Sequence, residues 1–199
     1  LVALLDFPAL PRTMSATPCP FLHSANSMTR ALFALLALPS LLPISAAAAD
    51  PSWLWHAGDA DAVLFRREFA IPATFGANLT GRLNASCDNH LNVYLNDKLV
   101  ATSDAWEEPV VEDVSKALRA GTNVLVVEGR NDGGPAGLIL QLNVLGGDKQ
   151  SLTILTDDSW VTRPRVEGWE KKRFDAGDWQ RARVVAKYGD GPWGLVFQG

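Results

Sequence analysis

The sequence is poor in the side chains that most often carry chemistry. It holds two cysteines, three histidines and two methionines in 199 residues. Two distant thiols, Cys19 and Cys87, cannot build a disulfide scaffold, so the domain must hold itself together by core burial. A zinc site needs four ligands, and beyond residue 49 only Cys87, His56 and His90 supply soft or imidazole donors. Cys87-Asp88-Asn89-His90 lacks the second cysteine of a haem-attachment motif. Neither a metal nor a bound cofactor is therefore expected. Positive charge is also short: 18 Lys and Arg stand against 22 Asp and Glu, giving a formal net charge of −4. With no basic block or stripe, nucleic acids and anionic membranes are excluded as partners.

Nucleophile motifs are missing as well. There is no Gly-x-Ser-x-Gly elbow, and Gly133-Gly134-Pro135-Ala136-Gly137 lacks the Lys-Ser/Thr and the following helix of a phosphate-binding loop. Glu107, Glu108, Glu112 and Asp113 are the one cluster that could offer a glycosidase pair of carboxyl groups. They crowd one polar stretch and read as solvated charge, so no catalytic residue is assigned.

Long apolar runs are few. The longest, at 31–38, is broken off by Pro39 and Pro43 and is too short to span a bilayer. It follows Met28-Thr29-Arg30 and precedes the small residues 45–49, the three-part layout of a secretory signal peptide. The expected organisation is an upstream segment at 1–27 outside the mature protein, a signal peptide at 28–49 and one domain at 50–199, secreted or periplasmic. Removal of Cys19 would leave Cys87 alone. It alternates with Leu83 and Ala85, as a small core residue does.

What is present is a succession of short period-two runs separated by turn residues. Val63, Phe65, Arg67, Phe69 and Ile71 share one face, with Arg67 out of character. Leu79, Gly81, Leu83, Ala85 and Cys87 share another. Leu91, Val93 and Leu95 alternate with Asn92, Tyr94 and Asn96 up to a two-residue turn, Asn96-Asp97, and a second strand returns from it. The run 124–128 is continuously apolar apart from its last residue, as in a strand covered on both faces. Residues 138–145 alternate again, and 146–149 turn the chain into 151–156. Strands at this spacing with almost no helical period specify an all-β antiparallel sandwich or barrel. The tail from Asp157 carries Asp158-Ser159-Trp160, Trp169, Phe174-Asp175-Ala176-Gly177-Asp178-Trp179 and Gly191-Pro192-Trp193-Gly194. Turn residues beside tryptophan read as structural pins.

Taken in order, several segments resemble one family. They are Trp53-Leu54-Trp55-His56, Phe65-Arg66-Arg67-Glu68-Phe69, the hairpin from Asp88 to Lys98, Ala120-Gly121-Thr122-Asn123 with its strand, Gly134-Pro135-Ala136-Gly137-Leu138, Thr156-Asp157-Asp158-Ser159-Trp160 and the Phe174 to Trp179 motif. The set is similar to the galactose-binding-like jelly-roll modules at the N-termini of bacterial α-L-rhamnosidases and β-galactosidase-type glycosidases. It looks most like the N-terminal module of secreted proteins with a propeller and a cytochrome c domain. The family has Asn-Gly at the hairpin turn where this chain has Asn96-Asp97; Asp tolerates positive φ less well than Gly, and the fold is unaffected.

The resemblance implies a jelly-roll β-sandwich that binds carbohydrate without catalysis and sits beside a catalytic or propeller domain of a longer chain. A sugar site needs aromatic faces for pyranose C–H groups and planar polar partners for hydroxyls. The loop residues of that type are Asp88, Asn89 and His90 before the hairpin, Trp106 after it, and Arg130, Asn131 and Asp132 in the glycine-rich loop. The alternatives are a docking domain without a ligand, in which Asp88 and Asn131 cap turns and Trp106 packs beneath a loop, and the N-terminal fragment of a glycoside hydrolase.

Overall fold

The computed structural model describes residues 49–169 and 177–198. The expected signal segment, Cys19 and Phe174-Asp175-Ala176 lie outside the described residues. In chain order the strands are β1 (Ser52–Trp55), β2 (Ala62–Ile71), β3 (Thr80–Asp88), β4 (His90–Leu95), β5 (Lys98–Ser103), β6 (Val110–Asp113), β7 (Gly121–Arg130), β8 (Gly137–Leu145), β9 (Ser151–Leu155), β10 (Val161–Pro164), β11 (Gln180–Arg181) and β12 (Arg183–Lys187). One sheet runs β12-β1-β8-β3-β6 with β9 also on β8; the other runs β11-β10-β2-β7-β4-β5. Every pairing is antiparallel.

The period-two residues face one another between the sheets. Leu83, Ala85 and Cys87 of β3 and Leu138, Leu140, Leu142 and Val144 of β8 meet Val63 and Phe65 of β2, Leu91, Val93 and Leu95 of β4, and Leu125 and Val127 of β7. Each such aliphatic side chain contributes about 1.5–3 kcal/mol by leaving water. Cys87 is fully buried, and desolvation pushes its thiol far above the usual range, so it is an inert core residue. Gly129 faces it across the core. A Cβ there would stand 3.0 Å from Cys87 Sγ and 3.3 Å from the Trp55 ring.

The hairpin turn has φ of 50° at Asn96 and 67° at Asp97, the positive pair that a two-residue turn of this hand requires. Asn96 is locked there: its Nδ2 donates to the Ala117 carbonyl and to Asn123 Oδ1, and its Oδ1 accepts from Val124 N–H. The continuous apolar run of β7 is covered on both faces. Leu125 and Val127 point into the core, while Val126 lies under Trp169 and Trp179 on the outer side.

The tail does more than pin loops. β10 pairs β2 along four residues, and β12 pairs β1, so the tail supplies an inner strand to one sheet and an edge to the other. Trp160 is fully buried and donates Nε1–H to the Leu155 carbonyl at 2.8 Å. The turn before it is capped by Asp157, whose carboxylate accepts from Ser159 N–H at 2.9 Å and from its hydroxyl. Arg67, out of character on the inner face of β2, donates to the Ser159 carbonyl at 3.4 Å in the same turn.

Register fixes which loops share an end. Arg130 lies opposite both Ala62 and His90, Asp88 opposite Gly137, and Leu91 opposite Ser103. The β1–β2, β3–β4, β5–β6 and β7–β8 connections therefore leave the sandwich at one rim.

Candidate ligand-binding rim

Three of those loops meet at His90, the first residue of β4. Its side chain is 26% exposed. Nδ1 stands 2.8 Å from Asp104 Oδ1 in the β5–β6 loop, and Nε2 stands 2.6 Å from Asp132 Oδ2 in the β7–β8 loop. Arg130, which ends β7, holds the other oxygen of Asp132 through Nε at 3.1 Å and brings Nη2 to 2.8 Å from His90 Nε2. The hydrogen bonds that its ring donates to Asp104 and then to Asp132 raise His90 above its ordinary value. The bond from His90 in turn lowers Asp132. Beside this cluster lies a polar hollow of about 420 Å³ lined by His90, Asn92, Asp104, Glu128 and Arg130. Glu128 is paired with Arg165.

The backbone around the cluster is stitched together. Asn89 N–H donates to the Arg130 carbonyl at 2.8 Å, and Asn89 Oδ1 accepts from Asp132 N–H at 2.7 Å. Asn131 N–H donates to the Asp61 carbonyl at 2.7 Å, which attaches the β1–β2 loop.

On the other side of the β7–β8 loop is an open cleft of about 550 Å³. His56, Asp59 and Asp61 form one wall, Asn131 and Pro135 another, and Arg183 and Trp193 a third. His56 is only 7% exposed. Its Nδ1 and the Oδ1 of Asn131 are buried without a hydrogen-bond partner among the described residues. The cleft thus gathers polar side chains and charges of both signs beside Pro135 and Trp193, the kind of lining a polar guest needs.

The sequence-derived candidates divide. Asn89, His90, Arg130, Asn131 and Asp132 come together at the rim. Asp88 turns inward: it is 7% exposed, and its Oδ2 accepts from Trp193 Nε1–H at 2.9 Å. Trp106 is half-buried against the Trp53, Ile139 and Trp193 cluster, and its carbonyl accepts from the Ser86 hydroxyl at 2.8 Å. Trp193 stacks on Trp53 with ring centroids 4.3 Å apart, close over Gly137, where a Cβ would lie 2.8 Å from Trp193. Sequence reasoning passed over Asp104, His56, Asp61 and Arg183. Their only signal is position at or next to a strand end, which the tail strands and the register supply. Among the described residues no three His, Cys, Asp or Glu side chains gather as a metal cage.

No protein-family model matches the chain. A curated α-L-rhamnosidase of Streptomyces avermitilis is 35% identical over 164 residues, covering 73% of this chain and 15% of its own length. The crystal structure of a Streptomyces avermitilis α-L-rhamnosidase complexed with L-rhamnose superposes with a TM-score of 0.65 at 31% identity, again over 73% of this chain and 15% of that one. The domain has the galactose-binding-like jelly-roll fold. A lectin from Pleurotus ostreatus, solved in complex with GalNAc, shares this fold at a TM-score of 0.64 and 21% identity, over 73% of this chain and 46% of that one. The module thus spans about 15% of the length of the rhamnosidase it matches. It is related to a region of such glycosidases and shares the fold of a carbohydrate-binding lectin.

Proposed function

We propose that the module is a non-catalytic carbohydrate-binding accessory domain of a larger, exported carbohydrate-active protein. The sugar seats in the cleft between the β1–β2 and β7–β8 loops. The observation that carries this reading is a cleft that sets His56, Asp59, Asp61, Asn131 and Arg183 beside the apolar residues Pro135 and Trp193. Sugar hydroxyls can both donate and accept, so one guest can meet carboxylate, amide and guanidinium groups together. Asp59, Asp61 and Arg183 add charged partners of both signs, and charge-assisted bonds to hydroxyls are the stronger kind. The rhamnosidase and lectin neighbours were both solved with a sugar bound, which supports the same reading.

The site is open and wet, so a dissociation constant on the order of 0.1–1 mM is expected. Affinity electrophoresis of the chain through gels containing rhamnose-bearing and galactose-bearing polysaccharides tests it. Retardation by at least one polysaccharide, weakened about tenfold or more in Asn131→Ala as for loss of one buried hydrogen bond, is the expected result. Unretarded migration through every gel would leave the docking-domain alternative standing.

A further inference from the structure

His90 has a carboxylate on each ring nitrogen, Asp104 at 2.8 Å and Asp132 at 2.6 Å. Carboxylates only accept, so both contacts are satisfied together only by an imidazolium that carries two N–H groups. Yet Arg130 Nη2, which only donates, stands 2.8 Å from the same Nε2. A protonated Nε2 can serve Asp132 and cannot accept from Arg130; an unprotonated Nε2 accepts from Arg130 and repels Asp132. The two contacts are alternatives selected by one proton.

We propose that His90 is a positioning residue that acts as a proton-operated latch on the β7–β8 loop. With both ring nitrogens protonated it ties the β5–β6 loop, through Asp104, to the β7–β8 loop, through Asp132. When the Nε2 proton leaves for solvent, the freed lone pair accepts an N–H of Arg130, and Asp132 keeps its Arg130 contacts, Nε at 3.1 Å and a long Nη2 one at 3.5 Å, but loses the imidazole donor. The Nε2–H bond, whose proton passes to solvent water, is the only covalent bond broken in the protein. The strain of the exchange falls on Asp132, whose backbone N–H is held by Asn89 Oδ1, and so on the adjacent Asn131 that lines the cleft.

The charged groups facing the ring are Asp104 from the β5–β6 loop, Arg130 and Glu128 from β7, and Asp132 from the β7–β8 loop, with Arg165 after β10 neutralising Glu128. Two carboxylates lie in direct contact and one cation beside them, so the balance favours the protonated ring. The direction of the His90 shift agrees. The latch itself stands on this geometry; its control of sugar affinity rests on the carbohydrate-binding reading.

The test is an NMR titration of the full chain between about pH 5 and 9, with no sugar added. The His90 ring is expected to titrate with a midpoint above the ordinary histidine value of 6.5. The backbone amides of Asn89, Asn131 and Asp132 should shift with that same midpoint. In His90→Gln the shared amide response should vanish. In Asp132→Asn, which keeps the ring but removes one carboxylate charge, the midpoint should fall. Amides that ignore the His90 titration would overturn the latch, as would a midpoint that Asp132→Asn leaves unchanged. Because sugar is absent from the sample, either result is independent of whether the cleft binds carbohydrate.

Discussion

At the scale of single residues, one polar side chain can serve the rim or the core, and direction decides which. Asp88 and Asn89 are adjacent loop-type residues, yet Asp88 faces the Trp193 indole while Asn89 faces Asp132. Alternation states that neighbours point oppositely, but it does not say that the residue at the inner position would meet an indole N–H arriving from 105 positions away. Removing that acceptor in Asp88→Ala orphans a buried donor and is expected to cost about 1–3 kcal/mol, read as a lower thermal midpoint. An unchanged midpoint would show that the bond adds nothing to the Trp53–Trp193 stack. The rim cluster sets the pH response. His90 holds its proton more firmly folded than unfolded, so its stabilisation is complete below the ordinary value of 6.5 and is lost as pH rises through the raised folded value. Asp132 runs the other way: its contribution is present above the ordinary 3.8 and is lost as pH falls through its lowered folded value. Thermal midpoints measured across pH should therefore decline on both sides of this window, and His90→Gln should flatten the alkaline decline. An alkaline decline that is as steep in the variant would assign it to other groups.

At the scale of elements, the strands were legible where one face meets the core and the other meets water. That condition holds along β4, at 68–71 of β2, at 80–85 of β3 and at 140–145 of β8, and there the period of two marks the buried face residue by residue. It fails where a strand is covered twice, as in β7, and where pairing is short, as in β10 to β12. The tail strands carry mixed sequences such as Arg183-Val-Val-Ala-Lys187, and the partners of β10 and β12 on β2 and β1 lie about 100 or more residues away. The hairpin is the clearest element because its turn chemistry is local. Asp97 sits at φ 67°, in the left-handed region that an L residue occupies at some cost. Asp97→Gly is expected to stabilise the domain by about 0.5–1 kcal/mol, offset in part by the greater freedom of unfolded glycine. Denaturant unfolding would register it as a higher midpoint at constant slope, and a lower midpoint would mean that the Asp97 side chain has a role of its own.

At the scale of the whole molecule, antiparallel register gathers loops from four separate connections at one rim, and this is what turns scattered polar residues into a site. The loops 88–90 and 130–132 could be nominated from sequence because they are polar and flank recognisable strands. The β1–β2 loop and Arg183 could not, since they reach the cleft only through the β1–β12 and β2–β7 pairings. The jelly roll itself hosts many functions, so fold alone does not assign one. The mixed polar and apolar lining of the cleft makes the functional claim specific. The most direct measurement is a ¹⁵N-resolved NMR titration of the chain with L-rhamnose and, separately, with galactose. Saturable shifts are expected for one of the sugars, centred on the amides of the 56–61 and 131–136 loops and the side chain of Asn131, with their loss in Asn131→Ala. Shifts confined to another face of the sandwich, or none with either sugar at concentrations well above the millimolar range, would contradict it.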